Sequence, residues 1–359
     1  MKVLDVYSGC GGFSYGLEMA GFETVCGIDN DAASLQTFKH NHPKAKALSF
    51  DLFETKISSI VDQIDSNIDL IVGGPPCQGF SLSGPRKSSD PRNNLVDAFA
   101  DIVEAVNPKA FIIENVPGLL SLYNGKAKNN IISTFRRLGF QVTYKILLAA
   151  DYGVPQLRKR VFFVGTQNST EFEFPPPTHF PQNTLFENKH VTTGEALSDL
   201  PSLEYGEWSE QMEYAQPPQN CYQDWARKKS SNVYNHIGTN HSEKVVNTIK
   251  LVPEGGNFKD LPERLRGSRN FNVAWTRYDG RKPAYTIDTG HRHHFHYSEN
   301  RVLTVRENAR LQSFPDDFIF FGNKSNQNRQ VGNAVPPLLA FSIGNQIKKF
   351  IDVAYEHDI

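Results

Sequence analysis

A cysteine in a stiff segment rich in glycine and proline is the strongest candidate for covalent chemistry in this sequence. The segment reads Gly-Gly-Pro-Pro-Cys-Gln-Gly-Phe-Ser over residues 73–81 and follows an apolar run typical of a buried strand. The glycines end that run and the prolines restrict the backbone after it, so we expect Cys77 at the carboxyl edge of a sheet. A lone cysteine is more often a small buried apolar residue, but one held on a rigid loop is a candidate nucleophile.

Charged side chains near the ends of two other strand-like runs could act beside that cysteine. Glu114 lies in AFIIENV (110–116), and the predicted strand puts its carboxyl group at the same edge of the sheet. Arg158 and Arg160 belong to QLRKR (156–160), which leads into the last strand-like run and offers planar cationic donors to oxygen acceptors. A thiol, a carboxyl group and guanidinium groups at one edge would suit nucleophilic catalysis.

A glycine-rich turn early in the chain is a candidate binding loop. The run DVYSGCGGF (5–13) reads as a strand, a turn and the start of a helix; glycine allows positive φ, and the helix start offers N–H groups. Asp29, at the end of the second strand-like run, suits a pair of ribose hydroxyls, and Asp51, after the third, could accept from an adenine amino group. The spacing G-x-G-G does not fit the dinucleotide pattern G-x-G-x-x-G. A tight structural turn and solvated carboxylates are the alternative interpretations.

Short apolar runs alternate with amphipathic stretches over the first 166 residues. The strand candidates are residues 3–7, 24–29, 45–50, 68–74, 110–116, 142–150 and 160–165. Helical patterns lie at 31–40, 94–106 and 127–138, and a further helix is expected at about 336–354. This alternation predicts an α/β fold, with a doubly wound, mostly parallel sheet, helices on both faces and a ligand site at the carboxyl ends of the strands.

The bulk composition is that of a globular protein with a sizeable core. The chain has 359 residues, 39% of them apolar and 21% charged, which suits one large and one smaller domain. No stretch approaches the roughly 18 apolar residues of a membrane span, and no secretory signal is recognised, so we expect a cytoplasmic protein. The four cysteines are widely spaced without a CxxC pair, which argues against a zinc site or a disulfide framework.

The middle of the chain, residues 167–300, is irregular and rich in Pro, Asn, Gln, His and aromatic residues. Although the net charge of the chain is −1, residues 261–310 hold ten Lys and Arg against five Asp and Glu. Such a basic stripe can bind phosphates, and arginine pairs bidentately with guanine edges; a solvated loop face is the alternative. The run HRHHFH (291–296) has no cysteine or carboxylate at ligand spacing, so we expect no metal site.

Six motifs, taken together, match a known family. They are DxYSGCGGF, PPCQGFS, ENV, QLRKR, RENARLQSFP (306–315) and QVGNAVP (330–336). In this order and at this spacing they resemble the DNA (cytosine-5) methyltransferases of the bacterial and phage modification type, over roughly 1–166 and 285–350. Two positions differ from the family's usual residues: Asp29 stands where Glu is usual, and Asn308 where Cys or Ala is frequent. Asp29 still offers a carboxylate to a ribose.

The resemblance implies an S-adenosyl-L-methionine-dependent methyltransferase fold, a reaction and residue roles. Cys77 would attack carbon 6 of a flipped-out cytosine in duplex DNA, and the methyl donor would become S-adenosyl-L-homocysteine. Glu114 would hold N3 and the exocyclic amine, Arg160 would hold O2, and Arg158 would brace the catalytic loop or a phosphate. The residues implied to line the cofactor pocket are Tyr7, Gly9, Gly11, Gly12, Asp29, Asp51, Pro76 and Leu95, with Asn333 and Val335 closing it.

The resemblance and the basic stripe also indicate residues that contact DNA. Ser83, on the loop after Cys77, would enter the space left by the flipped base; an ordinary loop serine is the alternative. Thr286 belongs to a Thr-Ile pair typical of the family's target-recognition domain. The arginines expected to contact bases or phosphates are Arg264, Arg266, Arg269, Arg277, Arg281 and Arg292.

These expectations give a two-domain enzyme, with a catalytic domain over 1–166 plus 301–359 and an irregular, β-rich target-recognition domain over 167–300. We expect a monomer that methylates a specific short sequence in double-stranded DNA and is functionally paired with a restriction endonuclease, without a membrane partner. The alternatives are a tRNA-methylating member of the same family, a non-catalytic DNA-binding homologue and a nicotinamide oxidoreductase. The presence of Cys77, Glu114 and Arg160 argues against the second, and the glycine spacing argues against the third.

Overall fold

Two compact units make up the chain. The structure is a computed structural model that describes residues 1–52, 54–64, 67–76, 95–167, 171–203, 209–266, 275–290 and 294–356. The first unit comprises residues 1–148, 159–176 and 335–359. The second unit comprises residues 149–158 and 177–334.

The first unit is built on a seven-stranded sheet. Its strands are β1 (Lys2–Val6), β2 (Glu23–Asp29), β3 (Lys46–Ser49), β4 (Leu70–Gly73), β5 (Ala110–Asn115), β6 (Gln141–Leu148) and β7 (Lys159–Thr166). They lie in the order β3-β2-β1-β4-β5-β7-β6. Strands β1 to β5 pair in parallel, whereas β7 runs antiparallel to both of its neighbours. The predicted strands and the mostly parallel sheet are confirmed.

Helices flank this sheet. They are α1 (Gly12–Met19), α2 (Ala32–Asn41), α3 (Ile57–Val61), α4 (Leu95–Val106), α5 (Lys126–Arg137) and α12 (Pro337–Glu356), with a 3₁₀ turn at Pro117–Ser121. Local sequence explains their limits: the side chain of Asp31 accepts from Ser34 N at 2.8 Å and so caps the start of α2. Buried Ile131 and Phe135 lie one turn apart on the core face of α5.

The core of the first unit lies under the central strands. Every residue of β4 and β5 is buried, as expected for parallel strands that are covered on both faces. The rings of Phe111 on β5 and Phe135 on α5 have centroids 4.0 Å apart. A Cβ at Gly165 would lie 2.0 Å from the Phe111 ring, so glycine is required there. Aromatic packing thus fixes the strands whose carboxyl ends carry the candidate site.

The helix α12 packs directly on α1. A Cβ at Gly16 of α1 would lie 2.3 Å from the carbonyl oxygen of Pro337 and 2.5 Å from Cβ of Ala340. A Cβ at Gly344 of α12 would lie 2.9 Å from Cβ of Ala20. Glycine on both helices therefore allows their backbones to approach closely, and the predicted helix near residue 336 completes the first unit.

The second unit is irregular, as predicted. Its helices are α6 (Thr193–Leu197), α7 (Cys221–Arg227), α8 (Glu243–Ile249), α9 (Glu263–Arg266), α10 (Val305–Leu311) and α11 (Lys324–Asn333). Two-residue strands form two pairs, β8 (Gln211–Met212) with β9 (Val233–Tyr234) and β10 (Thr276–Arg277) with β11 (His294–Phe295). Across the described part of the chain, no helix is long and apolar enough to cross a membrane.

The second unit extends to residue 334, whereas the sequence predicted that the catalytic domain resumes at residue 301. Residues 301–334 pack within the second unit. Arg310 on α10 is fully buried there, with Nη1 3.1 Å from Oδ1 of Asp199 and Nη2 2.6 Å from Oδ2 of Asp316. The sequence shows a regular helix in this region but not the distant carboxylate that pairs with it. Helix α10 therefore belongs with the irregular unit.

Candidate functional site

The glycine-rich turn after β1 is held by its own backbone. Gly11 N donates to Ser8 O at 2.9 Å. Tyr7, Gly9 and Gly11 have φ angles of 62°, 53° and 92°, a region that glycine adopts without strain and tyrosine seldom adopts. A Cβ on Gly11 would lie 2.3 Å from Nε2 of His42, whereas a Cβ on Gly9 would meet no described atom within 4 Å. The turn is thus packed at Gly11 and open at Gly9.

Asp29, at the end of β2, fastens this turn. Its Oδ2 accepts from Gly9 N at 2.9 Å, and its Oδ1 accepts from Asp31 N at 2.9 Å. Burial raises the pKa of the Asp29 carboxyl group, although these hydrogen bonds oppose the rise. The residue predicted to bind a ribose therefore also shapes the loop.

Tyr7 and Asp51 lie near the same edge. Asp51 is exposed, and Asn30 Nδ2 donates to its Oδ2 at 3.4 Å. Burial raises the pKa of Tyr7, and the carboxylates of Asp51 and Asp29 raise it further. The structure therefore brings Tyr7, Asp29 and Asp51 within electrostatic range at the carboxyl ends of the first three strands.

The remaining predicted cofactor residues lie on separate elements. Gly12 is buried at the start of α1, and Pro76 is exposed. Leu95 begins α4, and its side chain lies outside the described part of the structure. Asn333 is exposed at the end of α11 in the second unit, and Val335 is buried in the first. Their predicted roles stay predictions.

Glu114 and Arg160 form an ion pair across β5 and β7. Nε of Arg160 lies 2.8 Å from Oε1 of Glu114, and the two side chains are 14% and 10% exposed. The antiparallel register, which pairs Asn115 with Val161, brings these two side chains together. A Cβ at Gly74 would lie 3.4 Å from Oε2 of Glu114, so the carboxyl group is next to the segment that leads to the predicted nucleophile.

Asn115 ties that segment to the same strand. Its Nδ2 donates to the carbonyl oxygen of Pro75 at 3.2 Å, and its Oδ1 accepts from Val116 N at 2.8 Å. The side chain is buried. The sequence analysis assigned Asn115 no role; the signal was an amide directly after a candidate catalytic carboxylate, at a strand end. The ends of β4 and β5 are therefore held by a side-chain bond as well as by the sheet.

The predicted nucleophile, Cys77, and Ser83 lie outside the described residues, so their roles stay predictions. Cys10 and Cys26 are buried, and burial raises the pKa of each thiol to about 12. Because the thiolate is the reactive form, both are poor nucleophiles. Cys221 is exposed at the start of α7, in the second unit.

A buried carboxyl group beneath the glycine-rich turn also escaped the sequence analysis. Asp5 on β1 is 1% exposed, and Ser14 Oγ donates to its Oδ2 at 2.6 Å. Burial raises the pKa of Asp5 to about 7. Asp5 therefore links β1 to α1 from below the turn.

The structure argues against one of the two roles predicted for Arg158, a contact with a phosphate. The other role, bracing the catalytic loop, stays a prediction because that loop lies outside the described residues. Arg158 is 1% exposed, in the second unit. Its Nη2 donates to the carbonyl oxygen of Gly332 at 2.9 Å, and its Nη1 donates to that of Ile287 at 3.4 Å. A guanidinium buried in this way cannot reach a phosphate in solvent. Arg158 instead joins distant segments of the second unit.

A second correction concerns Arg277, which was predicted to contact DNA. It is 5% exposed, on β10. Its guanidinium donates to five acceptors, which are the carbonyl oxygens of Ile249, Val252, His296 and Glu299 and the side-chain oxygen of Asn300. These bonds hold the guanidinium inside the second unit, so Arg277 is a structural residue.

The other predicted DNA contacts differ in exposure. Arg264 is exposed, and the Arg281 side chain is 84% exposed beside Asp279. Arg266 is half-buried and donates from Nε to Leu261 O at 2.8 Å. The hydroxyl of exposed Thr286 donates to Leu157 O at 3.2 Å.

Arg269, Arg292 and the first half of the histidine-rich run at 291–296 lie outside the described residues. Within the residues that are described, no three or more His, Cys, Asp and Glu side chains are grouped as metal ligands would be. Arg264, Arg281 and Thr286 thus stay as described candidates for DNA contact.

Solved structures that share this fold are methyltransferases. One, described as a DNA modification methyltransferase encoded within a prophage (E. coli), superposes with a TM-score of 0.80 at 28% identity, covering 98% of this chain and 99% of that one. The S. pombe Dnmt2 methyltransferase superposes with a TM-score of 0.60 at 17% identity over 99% of each chain, a likeness of fold alone. The sheet order and these neighbours define the class as methyltransferases.

The sequence profile of the C-5 cytosine-specific DNA methylases matches residues 1–349. The chain is 38% identical over 353 residues to the type II methyltransferase M1.HphI of Haemophilus parahaemolyticus, covering 97% of this chain and 87% of the relative. It is 37% identical over 374 residues to M.DdeI of Desulfomicrobium norvegicum, covering 98% and 89%. The chain belongs to the C-5 cytosine-specific DNA methylase family. The predicted family is confirmed, and the oxidoreductase alternative is wrong.

Proposed function

We propose that this enzyme transfers a methyl group from S-adenosyl-L-methionine to carbon 5 of a flipped-out cytosine in duplex DNA, through a covalent adduct with Cys77. The observation that carries the proposal is the Glu114–Arg160 pair. It places a carboxyl group and a guanidinium 2.8 Å apart beside Gly74, three residues before Cys77. A proton-sharing acid and a cationic donor are the two groups that a cytosine ring needs when a thiolate adds to it.

The role of Cys77 follows from the electronic structure of cytosine. Carbon 5 is a weak nucleophile because the ring is aromatic and electron-poor. When the Cys77 thiolate forms a bond to carbon 6, the ring loses aromaticity and carbon 5 becomes enamine-like, so one difficult step is divided into easier ones. After carbon 5 has been methylated, loss of its proton expels Cys77 and restores the aromatic ring.

Glu114 and Arg160 act where charge develops during that addition. The electrons displaced by the thiolate move toward N3 and O2 of the ring. Glu114 shares a proton with N3, and Arg160 donates to O2, so both stabilise the adduct more than the free base. Arg160 Nε lies 2.8 Å from Glu114 Oε1, and Arg160 Nη1 donates to Lys159 O at 2.8 Å. Further N–H groups of the guanidinium remain for a base oxygen.

The residues at the ends of β1 to β3 fit S-adenosyl-L-methionine, which supplies the electrophilic methyl group. The turn is open at Gly9, where a side chain would otherwise occupy space next to the backbone. Each carboxylate oxygen of Asp29 already accepts one backbone N–H, and its remaining lone pair would accept from a ribose hydroxyl. Exposed Asp51 would accept from the adenine amino group. Tyr7, Gly11, Gly12, Pro76 and Leu95 would line the same pocket, and Val335 of the same unit would close it.

The target cytosine must leave the helix, because neither face of a stacked base is open to a thiolate and a methyl donor. Unstacking and unpairing one base costs about a few kcal/mol. Ser83 would offset part of this cost by entering the space that the base leaves. Sequence recognition is proposed for the second unit, through the exposed candidates Arg264, Arg281 and Thr286, since base-edge contacts discriminate and phosphate contacts position.

We further propose that the enzyme is a monomeric type II modification methyltransferase that protects its own DNA from a paired restriction endonuclease. The type II relatives support this proposal, because they match almost the whole chain. Bisulfite sequencing of DNA from cells that express the enzyme should show full methylation at one short motif. Methylation of tRNA in place of duplex DNA would contradict the proposed substrate.

Trapping with 5-fluorocytosine tests the covalent step. Fluorine at carbon 5 blocks the final elimination, so duplex DNA with 5-fluorocytosine in the target site should remain bound through Cys77. Cys77→Ala should abolish the adduct while DNA still binds. The matched control is Cys221→Ala, which removes an exposed thiol and should leave trapping unchanged. An adduct on Cys10 or Cys26, or one that survives Cys77→Ala, would overturn the mechanism.

A further inference from the structure

The second unit contains a cavity of about 630 Å³ that none of the proposed catalytic residues lines. This volume is in the range of small-molecule and cofactor sites. The cavity lies between the loop before α8, strand β11 and the start of α11. Its lining residues are Gly238, Thr239, Asn240, His241, Val245, Trp275, Phe295, Val302, Lys324 and Ser325.

One wall of the cavity is aromatic and apolar. The rings of Trp275 and Phe295 have centroids 5.8 Å apart and meet edge to face at 63°. Both pack with Val302 in the apolar cluster of the second unit. Trp275 has a φ of 52°, in the left-handed region that bulky residues seldom adopt. Backbone strain of this kind persists only where the surroundings impose it, and it is concentrated at binding sites.

The lining of the cavity also includes a lysine, Lys324, that has no carboxylate partner among the described residues. Lys324 Nζ donates to the carbonyl oxygen of Gly238 and to Thr239 Oγ1, the latter at 3.4 Å. Both acceptors are neutral, and none of the carboxylates in the described ranges forms an ion pair with Lys324. Burial lowers the pKa of Lys324. The charged form of a lysine is destabilised when burial removes water from it and no anion takes the place of that water. A bound anionic group would stabilise the charged form of Lys324.

The neighbouring groups of the cavity are polar and uncharged. Burial lowers the pKa of His241, and the charges of Lys324 and Arg301 lower it further. His241 Nε2 accepts from Val302 N at 3.3 Å, which fixes the ring in its neutral form. The hydroxyls of Thr239 and Ser325 and the amide of Asn240 complete the polar wall. The cavity therefore combines aromatic faces, hydrogen-bonding groups and an anion-binding cation.

We propose that this cavity binds one nucleotide, with its base against Trp275, which packs on buried Phe295, and its phosphate at Lys324. Bases stack on aromatic side chains, and the edges of a base suit hydroxyl and amide partners. The nucleotide comes either from solution or from a DNA strand in which it has left the base stack. The site shares no residue with the group around Glu114, so the proposal does not depend on the chemistry assigned to Cys77.

Calorimetric titration with the four deoxynucleoside monophosphates and their nucleosides tests the first source. We expect at least one nucleotide to bind about tenfold more tightly than its nucleoside, because only the nucleotide carries the phosphate. Lys324→Met should remove that difference, and Trp275→Leu should weaken both ligands at least tenfold. The matched control is Lys244→Met, since Lys244 is an exposed lysine on α8 that does not line the cavity.

Duplex DNA with 2-aminopurine, placed in turn at each position of the methylated motif except the target cytosine, tests the second source. The probe brightens when it leaves the stack and is quenched again when it stacks on an indole. If the fluorescence of 2-aminopurine changes at one position and this change is lost in Trp275→Leu, the nucleotide comes from a DNA strand. If nucleotides bind but the fluorescence changes at no position, the ligand is a free nucleotide. The proposal is overturned if neither ligand responds to Trp275 or Lys324 in variants that melt like the parent. Trapping by 5-fluorocytosine, measured on the same variants, reports separately on Cys77.

Discussion

The side-chain amide of Asn115 donates a hydrogen bond to the carbonyl oxygen of Pro75, with 3.2 Å between Nδ2 and the oxygen. Its own carbonyl is held by Val116 N at 2.8 Å, so the amide has one orientation. The bond joins the strand that carries Glu114 to the segment that leads to Cys77. The strand end that carries Glu114 and the backbone at Pro75 are therefore held together.

Replacing Asn115 with Asp tests this anchoring. At neutral pH the carboxylate has no N–H for Pro75 O, and two oxygens then face each other. We expect the rate of adduct formation with 5-fluorocytosine DNA to fall about tenfold to hundredfold, which corresponds to a buried hydrogen bond worth about 1–3 kcal/mol. A protonated Asp can donate again, so the rate should recover as the pH is lowered. The control is Asn129→Asp on the exposed side of α5; a pH profile like that of the parent would argue against the anchoring role.

Glu114→Gln should separate catalysis from stability. Gln has the size and shape of Glu and can occupy the same place beside Arg160, but its neutral amide cannot share a proton with N3. Turnover should fall by about 100-fold or more, while cofactor affinity changes little. The control is Asp69→Asn, which alters another ion pair of the first unit, 2.7 Å from Lys109, and should leave turnover unchanged. Equal losses of turnover and of melting temperature in Glu114→Gln would indicate a structural pair.

Replacement by Ala should affect stability at Arg277 and DNA binding at Arg281. Loss of the Arg277 guanidinium leaves buried carbonyl oxygens without a donor, so the free energy of unfolding should fall by about 3 kcal/mol or more. Arg281→Ala should leave the melting temperature unchanged and reduce the slope of DNA affinity against salt by about one unit. Denaturant unfolding and DNA titration at several salt concentrations measure both. A stable Arg277→Ala variant with altered sequence preference would restore the original prediction.

Asp5 should make stability depend on pH. Burial raises the pKa of Asp5 from its ordinary value of 3.8 to about 7 in the folded protein. The folded state thus binds the proton more tightly than the unfolded state, and stability falls as the pH rises from about 4 to about 7. Asp5→Asn has no carboxyl group to titrate at this position, so its free energy of unfolding should not fall in this way. Between pH 4 and 7 the free energy of unfolding of the variant, relative to that of the parent, should therefore rise by up to a few kcal/mol. A difference that is constant between pH 4 and 8 would contradict the assignment.

Much of the first unit could be predicted from the sequence because its strands and its motif residues are each encoded in short contiguous segments. Buried parallel strands such as β4 and β5 are continuous apolar runs, and their ends carry the motif residues. The errors concern charges. Arg158 was expected to brace the catalytic loop or a phosphate, and Arg277 to contact a base or a phosphate as part of a basic stripe. Both are buried and donate to backbone oxygens from distant segments. Residue type and spacing do not reveal such acceptors. For the same reason, the pairing of Arg310 with Asp199 moved α10 out of the predicted catalytic domain.

The packing of α12 on α1 has a consequence for synthesis. Helix α1 leaves the ribosome long before α12, which follows only after the whole second unit. At about 5–20 residues per second, the roughly 170 residues between the end of β7 and the start of α12 take about 9–34 seconds to translate. During that time the face of α1 around Gly16, Leu17 and Ala20 has no α12 to cover it. A nascent chain therefore exposes this apolar face to chaperones, and the first unit reaches its final packing only when the ribosome has passed residue 356.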